Sequence, residues 1–199
     1  MAAAIPDRKL SVSAPDFVEV LDFWFGAPNS RERGQPRKLW FQKSEALDAE
    51  IRRRFLATWE RAARGELGSW QTTPLASLAL VVALDQFPRN MFRGTERAFA
   101  SDSLALAAAR NMIALEFDRL LSRVERSFAY LPFVHAEDLA AQRRSLALFH
   151  ELDPEDMLNA KRHYEIIARF GRFPHRNAIL GRQSTAEEIE FLRQPGSSF

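Results

Sequence analysis

The chain has 199 residues, 46% hydrophobic and 27% charged, a composition that excludes wholesale disorder and suffices for one domain with a sizeable core. The net charge of +2 makes no electrostatic case for nucleic acid, even with a pI near 9.3. Cysteine is absent, which excludes disulfides, thiolate metal sites, iron–sulfur clusters and cysteine nucleophiles.

The first residues, MAAAIPDRKL, lack the apolar stretch of a secretion leader, and the most apolar run, Leu75 to Leu84, is too short to span a bilayer. A cytoplasmic protein without a membrane segment is the expectation. The basic residues are all arginine save Lys9, Lys38, Lys43 and Lys161. Arginine grips carboxylates and phosphates in two-pronged fashion, although a coding bias also explains such a skew.

In chain order, Phe17, Val20, Leu21 and Trp24 give the stripe of an opening helix that Gly26 and Pro28 end. A polar loop covers 27–37. Ser44 caps a long helix reaching about Arg64, with Leu47, Ile51, Phe55 and Trp59 as its buried face. Thr73-Pro74 starts a helix over Leu75 to Gln86 that is apolar nearly all round and so belongs at the centre. Further helices are expected from about Asp102 to Glu116, from Ala136 to Glu151, and from Asp153-Pro154 to Gly171. Ser184-Thr185-Ala186-Glu187 reads as a capping box for a last helix. No stretch alternates like a strand. The expected architecture is therefore one all-α domain over 14–193, an array of antiparallel helical hairpins with no sheet, flanked by loose termini at 1–13 and 194–199.

Three proline-marked segments interrupt the apolar stripes. They are Asp85-Gln86-Phe87-Pro88-Arg89-Asn90, Leu131-Pro132-Phe133-Val134-His135-Ala136-Glu137-Asp138, and Phe173-Pro174-His175-Arg176-Asn177. Proline disfavours helix at the preceding residue, so each Phe-Pro is expected at a junction whose next turn offers unpaired N–H groups. Asp85, Gln86, Arg89, Asn90, His175, Arg176 and Asn177 then become candidates for holding an anion. The alternative is that they brace neighbouring helices. Asp85 shares the buried face of Leu78 and Val82, so it needs a cation, and Arg89, Arg176 or Arg182 can supply one.

His135 is the candidate acid or base because it titrates near neutrality, with Glu137 as the acid beside it. Complementing a helix terminus is the competing role for this segment. His163 reads as a packed core histidine, His150 as a partner for a helix C-terminus, and Trp40-Phe41 as core or the lip of a pocket. The spacings of zinc, calcium, P-loop, dinucleotide and nucleophile-elbow motifs are missing, so no metal or cofactor is expected.

The segments VLDFWFG (20–26), LWF (39–41), ALDQFPRNMFRG (83–94), YLPFVHAEDLAAQ (130–142) and RFGRFPHRNAILGRQSTAEEIEFL (169–192) resemble the bacterial domain of unknown function 924 family. The resemblance extends over about residues 14–193. It implies a helical, tetratricopeptide-like fold and carries no activity with it. Two functions stay open beside a purely structural role. One is a metal-independent acid/base enzyme for a small anionic molecule, acting by hydrolysis or acyl or amide group transfer. The other is an adaptor that clamps an acidic peptide terminus in a concave helical groove.

Overall fold

The computed structural model describes residues 16–197 apart from Phe41 and Asp153. Residues 1–15, Phe41, Asp153 and the last two positions, on which expectations were placed above, lie outside the described residues. The described chain is all-α, with no strand among the described residues. No described helix is long and apolar enough to cross a membrane.

Helix α1, Phe17–Phe25, is capped by Asp16, whose carboxylate accepts from the Glu19 N–H. It stops at Gly26, where φ is 91° and a Cβ would come within 2.7 Å of Ser30 Oγ, so only glycine fits. A helix end leaves carbonyls without partners. Here the following loop supplies the donors: Arg37 reaches the Phe23 and Trp24 carbonyls, Arg33 reaches that of Gly26, and Trp40 Nε1 reaches Trp24 O at 3.0 Å. Arg33 also grips Glu125 at 2.6 Å, which ties the loop to the middle of the chain.

Helix α2, Glu45–Ala63, begins at the expected Ser44 cap and buries Ile51, Phe55 and Trp59. Helix α3, Pro74–Val81, begins at Thr73 with proline in its first turn and is buried from Ala76 onward. It does not stop before Pro88, as the proline rule led us to expect. The helix continues through one wide turn, Val82–Gln86, with π-type bonding, into α4, Phe87–Met91, and Phe87 keeps helical angles. Pro88 has no N–H to give the Leu84 carbonyl four residues back. The wide turn absorbs that loss, with Phe87 N–H bonding to Val82 O, and the Ser101 hydroxyl donates to Leu84 O at 2.6 Å. Trp59 Nε1 donates in turn to Ser101 Oγ at 3.0 Å, which fixes the hydroxyl.

Helix α5 is Asp102–Ala114, close to expectation. Helix α6, Arg123–His135, was not expected at all: it opens on a Ser122–Glu125 capping box and carries Pro132 within it. Helix α7, Leu139–His150, starts at the Asp138 cap and α8 is Pro154–Phe170. Helix α9, Ala186–Leu192, takes Thr185 and Glu188 as its capping box, one residue later than read from the sequence. From α5 to α8 each helix packs on the next, while α1 packs on α3 and α2 on α4. The main core joins Trp24, Phe55 and Phe87, with the last two rings stacked at 4.6 Å. A smaller cluster of Ile166, Ile167 and Phe173 sits under the C-terminal segment.

Candidate functional site

The wide turn before Pro88 sets where Asp85 goes. The residue is completely buried, and both carboxylate oxygens meet His135 Nδ1, at 2.9 and 3.0 Å. Gln86 Nε2 donates to one of these oxygens at 2.5 Å, and Arg89 stands 3.2 Å from the other. Burial by itself pushes the Asp85 carboxyl up, but Arg89, His135 and the Gln86 amide outweigh it and hold the group well below the usual carboxylate range. An ionised carboxylate only accepts, so Nδ1 carries the proton and Nε2 keeps its lone pair. Burial, and then the Arg89 charge, push His135 below the ordinary histidine value of 6.5, against the pull of Asp85. The imidazole is therefore neutral at physiological pH, with Nε2 free to take a proton.

Glu137 is not the acid that orients His135. It accepts from Arg182 at 2.6 Å and from the Phe173 N–H at 2.7 Å, and these donors hold it low in spite of burial. The expectation of a His135–Glu137 pair rested on closeness in sequence. The structure instead gives His135 an acid 50 residues away. His135 closes α6 and Asp138 caps α7, so Glu137 lies in the short link between them.

Arg89 and Arg176 converge on one carboxylate, that of Asp102. Arg89 lies 2.9 Å and Arg176 3.1 Å from it, and Arg176 also donates to the His135 carbonyl at 3.0 Å. Arg89 titrates above its usual value, since Asp85 and Asp102 together outweigh its burial. Arg176 falls to about 10, because burial and then the neighbouring Arg89 charge outweigh Asp102. These two side chains therefore act as braces as well as cavity wall.

A cavity of about 630 Å³ opens against His135, with Gln86, Arg89, Asn90, His175 and Arg176 on its walls. Five of the seven residues expected to hold an anion thus share one hollow with the candidate base. Asp85 stands behind His135 rather than on the wall. Asn177 is buried and donates to Ser184 Oγ at 3.1 Å, a brace at the start of α9. Asn90 bonds to Gln86 O and accepts from Arg93.

Sequence reasoning missed Asp102, Lys43, Arg93 and His163 as parts of this neighbourhood. Lys43, Arg93 and His163 line the cavity, as does Trp40. His163 is also the buried, hydrogen-bonded histidine that was expected, held by Asn159 O at 2.8 Å and pushed by burial down to about 3. His175 is lowered to about 4 by burial and by Arg176. A second cavity, of about 610 Å³, lies on the Asp102 and Glu137 side. No group of three or more metal-ligating side chains among the described residues has the arrangement a metal ion needs.

No functionally curated protein matches the chain. A solved structure of a protein of unknown function from Agrobacterium tumefaciens is 43% identical, covers 88% of this chain and 96% of its own, and superposes with a TM-score of 0.80. Residues 20–196 match the family described as bacterial protein of unknown function (DUF924). On both the sequence match and the shared fold, the chain belongs to the DUF924 family.

Proposed function

We propose that the cavity is the site of a metal-independent acid/base reaction on a small anionic molecule, with His135 as the base and Asp85 as its positioning partner. The observation that carries this reading is the doubly bonded Asp85–His135 pair, which leaves Nε2 available beside a cavity of about 630 Å³. That size is within the usual range for small-molecule sites. The His135 side chain is 17% exposed and that of Asp85 1%, so the dyad has one accessible end.

Among the described residues no Ser, Thr or Tyr lines this cavity. The proposed nucleophile is therefore water. Nε2 takes a proton from it, the oxygen adds to an ester or amide carbonyl, and the same proton passes to the leaving oxygen or nitrogen as the bond to carbon breaks. Arg89 and Arg176 supply fixed positive charge near the developing oxyanion. Acid/base hydrolysis thus becomes the preferred member of the two reaction classes expected from the sequence. The scaffold, which we read as a tetratricopeptide-like run of hairpins, then serves to hold the dyad. A cytoplasmic setting is proposed with it, on the cysteine-free composition.

The test is hydrolysis of an activated anionic ester, 4-nitrophenyl hemiglutarate, by wild type and by His135→Asn. Asparagine keeps an N–H for Asp85 but has no base. The expected loss in kcat/KM is about 10²-fold or more, with the fold intact by circular dichroism. Because only neutral His135 acts, kcat/KM falls as pH drops through a limb lying below 6.5 and stays flat across neutral pH. An unchanged rate in His135→Asn, or a limb above 7, overturns the assignment.

A further inference from the structure

The cations around the cavity are not equivalent. Lys43, Arg89, Arg93 and Arg176 all line it, and no carboxylate among the described residues does. Arg89 is committed to Asp85 and Asp102, Arg176 to Asp102, and Arg93 to Asp48 at 2.8 Å. Lys43 is exposed and has no carboxylate partner among the described residues. Its ammonium is the charge that can be given wholly to a ligand.

Besides these cations and the polar Gln42, Gln86, Asn90 and three histidines, the wall carries a continuous set of apolar side chains. Trp40 and Phe128 meet edge to face with centroids 4.6 Å apart, and Leu131, Phe99, Phe173 and Ile179 continue the surface. Trp40 is held in place by its bond to the Trp24 carbonyl, so its ring is a fixed wall. A small, fully hydrated anion would leave this surface wet, and an apolar molecule without charge would leave Lys43 unanswered. A ligand with both features satisfies both.

We propose that the site takes an amphipathic anion, a carboxylate or phosphate head on an aromatic or acyl body, with the head at Lys43 and the body along the Trp40–Phe128 wall. The half-buried His135 lines the same cavity, so a bond to be cleaved would lie where the ligand meets its imidazole. This inference rests on the acid/base reading only for that last step. Binding of the charged head and apolar body stands without it.

The experiment is calorimetric titration with 4-phenylbutyrate, 4-phenylbutan-1-ol and 4-phenylbutylamine, three probes that share a body and differ in charge. Wild type is expected to bind the acid at least tenfold more tightly than the alcohol, and the amine more weakly than either. Lys43→Glu should weaken the acid at least tenfold and leave the alcohol within twofold. Lys43→Arg should retain the preference. Equal affinity for acid and alcohol, an acid affinity unmoved by Lys43→Glu, or no binding of any probe to wild type overturns the proposal. Charge-selective binding without His135-dependent ester hydrolysis would sink the base and keep the ligand class. Hydrolysis without charge selectivity would do the reverse.

Discussion

The two Phe-Pro turns, Phe87-Pro88-Arg89-Asn90 and Phe173-Pro174-His175-Arg176-Asn177, are nearly the same in sequence and send an arginine to the same carboxylate. Their backbones are nonetheless different. Phe87 is helical and Pro88 lies inside a continuous helical rod, whereas Phe173 is extended (φ −89°, ψ 108°) and Pro174 opens a single tight turn. The difference comes from what precedes them. Ahead of Phe87 is a helix buried on nearly every side, whose carbonyl left over at Leu84 finds a donor in Ser101. Ahead of Phe173 is Gly171, with φ at 69°, which has already ended α8. A proline thus breaks a helix only where the lost hydrogen bond is not made good and the chain is free to turn.

Cutting each phenylalanine to alanine puts the largest strain on this comparison. Both are completely buried, but Phe87 stacks on Phe55 and meets Trp24 in the main core, while Phe173 sits in the small C-terminal cluster against His163 and His175. Phe87→Ala should cost about 3–5 kcal/mol in urea unfolding. Phe173→Ala should cost less, since its surroundings include a cavity wall that can shift. A larger loss at Phe173 would mean that the C-terminal segment, and not the central rod, holds the fold together.

The two arginines give the next effect. Arg89→Met strips the counter-charge from buried Asp85 and from half of Asp102, and breaking a buried pair in this way costs on the order of 3 kcal/mol. Arg176→Met leaves Asp102 with Arg89 and removes a guanidinium already lowered to about 10 by burial. Its expected cost is about 1 kcal/mol, the scale of the hydrogen bonds lost. Chemical denaturation of both variants, with Asp102→Asn to close a double-mutant cycle, measures the contrast. Equal costs would show that Asp102, and not Asp85, dominates the charge network.

Much of the fold is written in local signals. Ser44, Thr73-Pro74, Gly26 and Gly171 act within one turn of where they stand, so their caps and stops are legible from the sequence. Helix α6 escaped because Pro132 and the charged run at its start mask the stripe of Phe128, Ala129 and Phe133, although the Ser122–Glu125 box was there to be read. At α9 both Ser184 and Thr185 have glutamate three residues on. Both glutamates meet an arginine from another part of the chain, Glu187 with Arg169 and Glu188 with Arg172, but Glu188 is the buried one and closes the box. The site shows the same limit. Its polar clusters stood out, but which acid faces His135 depends on how α3, α4 and α6 pack, and adjacency favoured Glu137 over Asp85. Asp102 looked like any acid in a first helical turn. Nothing nearby in sequence marks it as the meeting point of two distant arginines.

The mildest perturbation bears directly on the wide turn that separates the two Phe-Pro segments. Ser101 is 1% exposed, and its hydroxyl both donates to Leu84 O and accepts from Trp59 Nε1. Ser101→Ala leaves a carbonyl and an indole N–H without partners, at a cost of about 1 kcal/mol or somewhat more. The effect should also travel along the turn to Asp85. Asp85 raises the pKa of His135, so a looser Asp85 lets burial and Arg89 drive the imidazole lower still. An NMR titration of the His135 ring should therefore show a downward shift in Ser101→Ala and a near-wild-type midpoint in Ser101→Thr, which keeps the hydroxyl. If the midpoint does not move, packing alone holds the turn, and the contrast between the two prolines owes nothing to the donor that replaces the missing N–H.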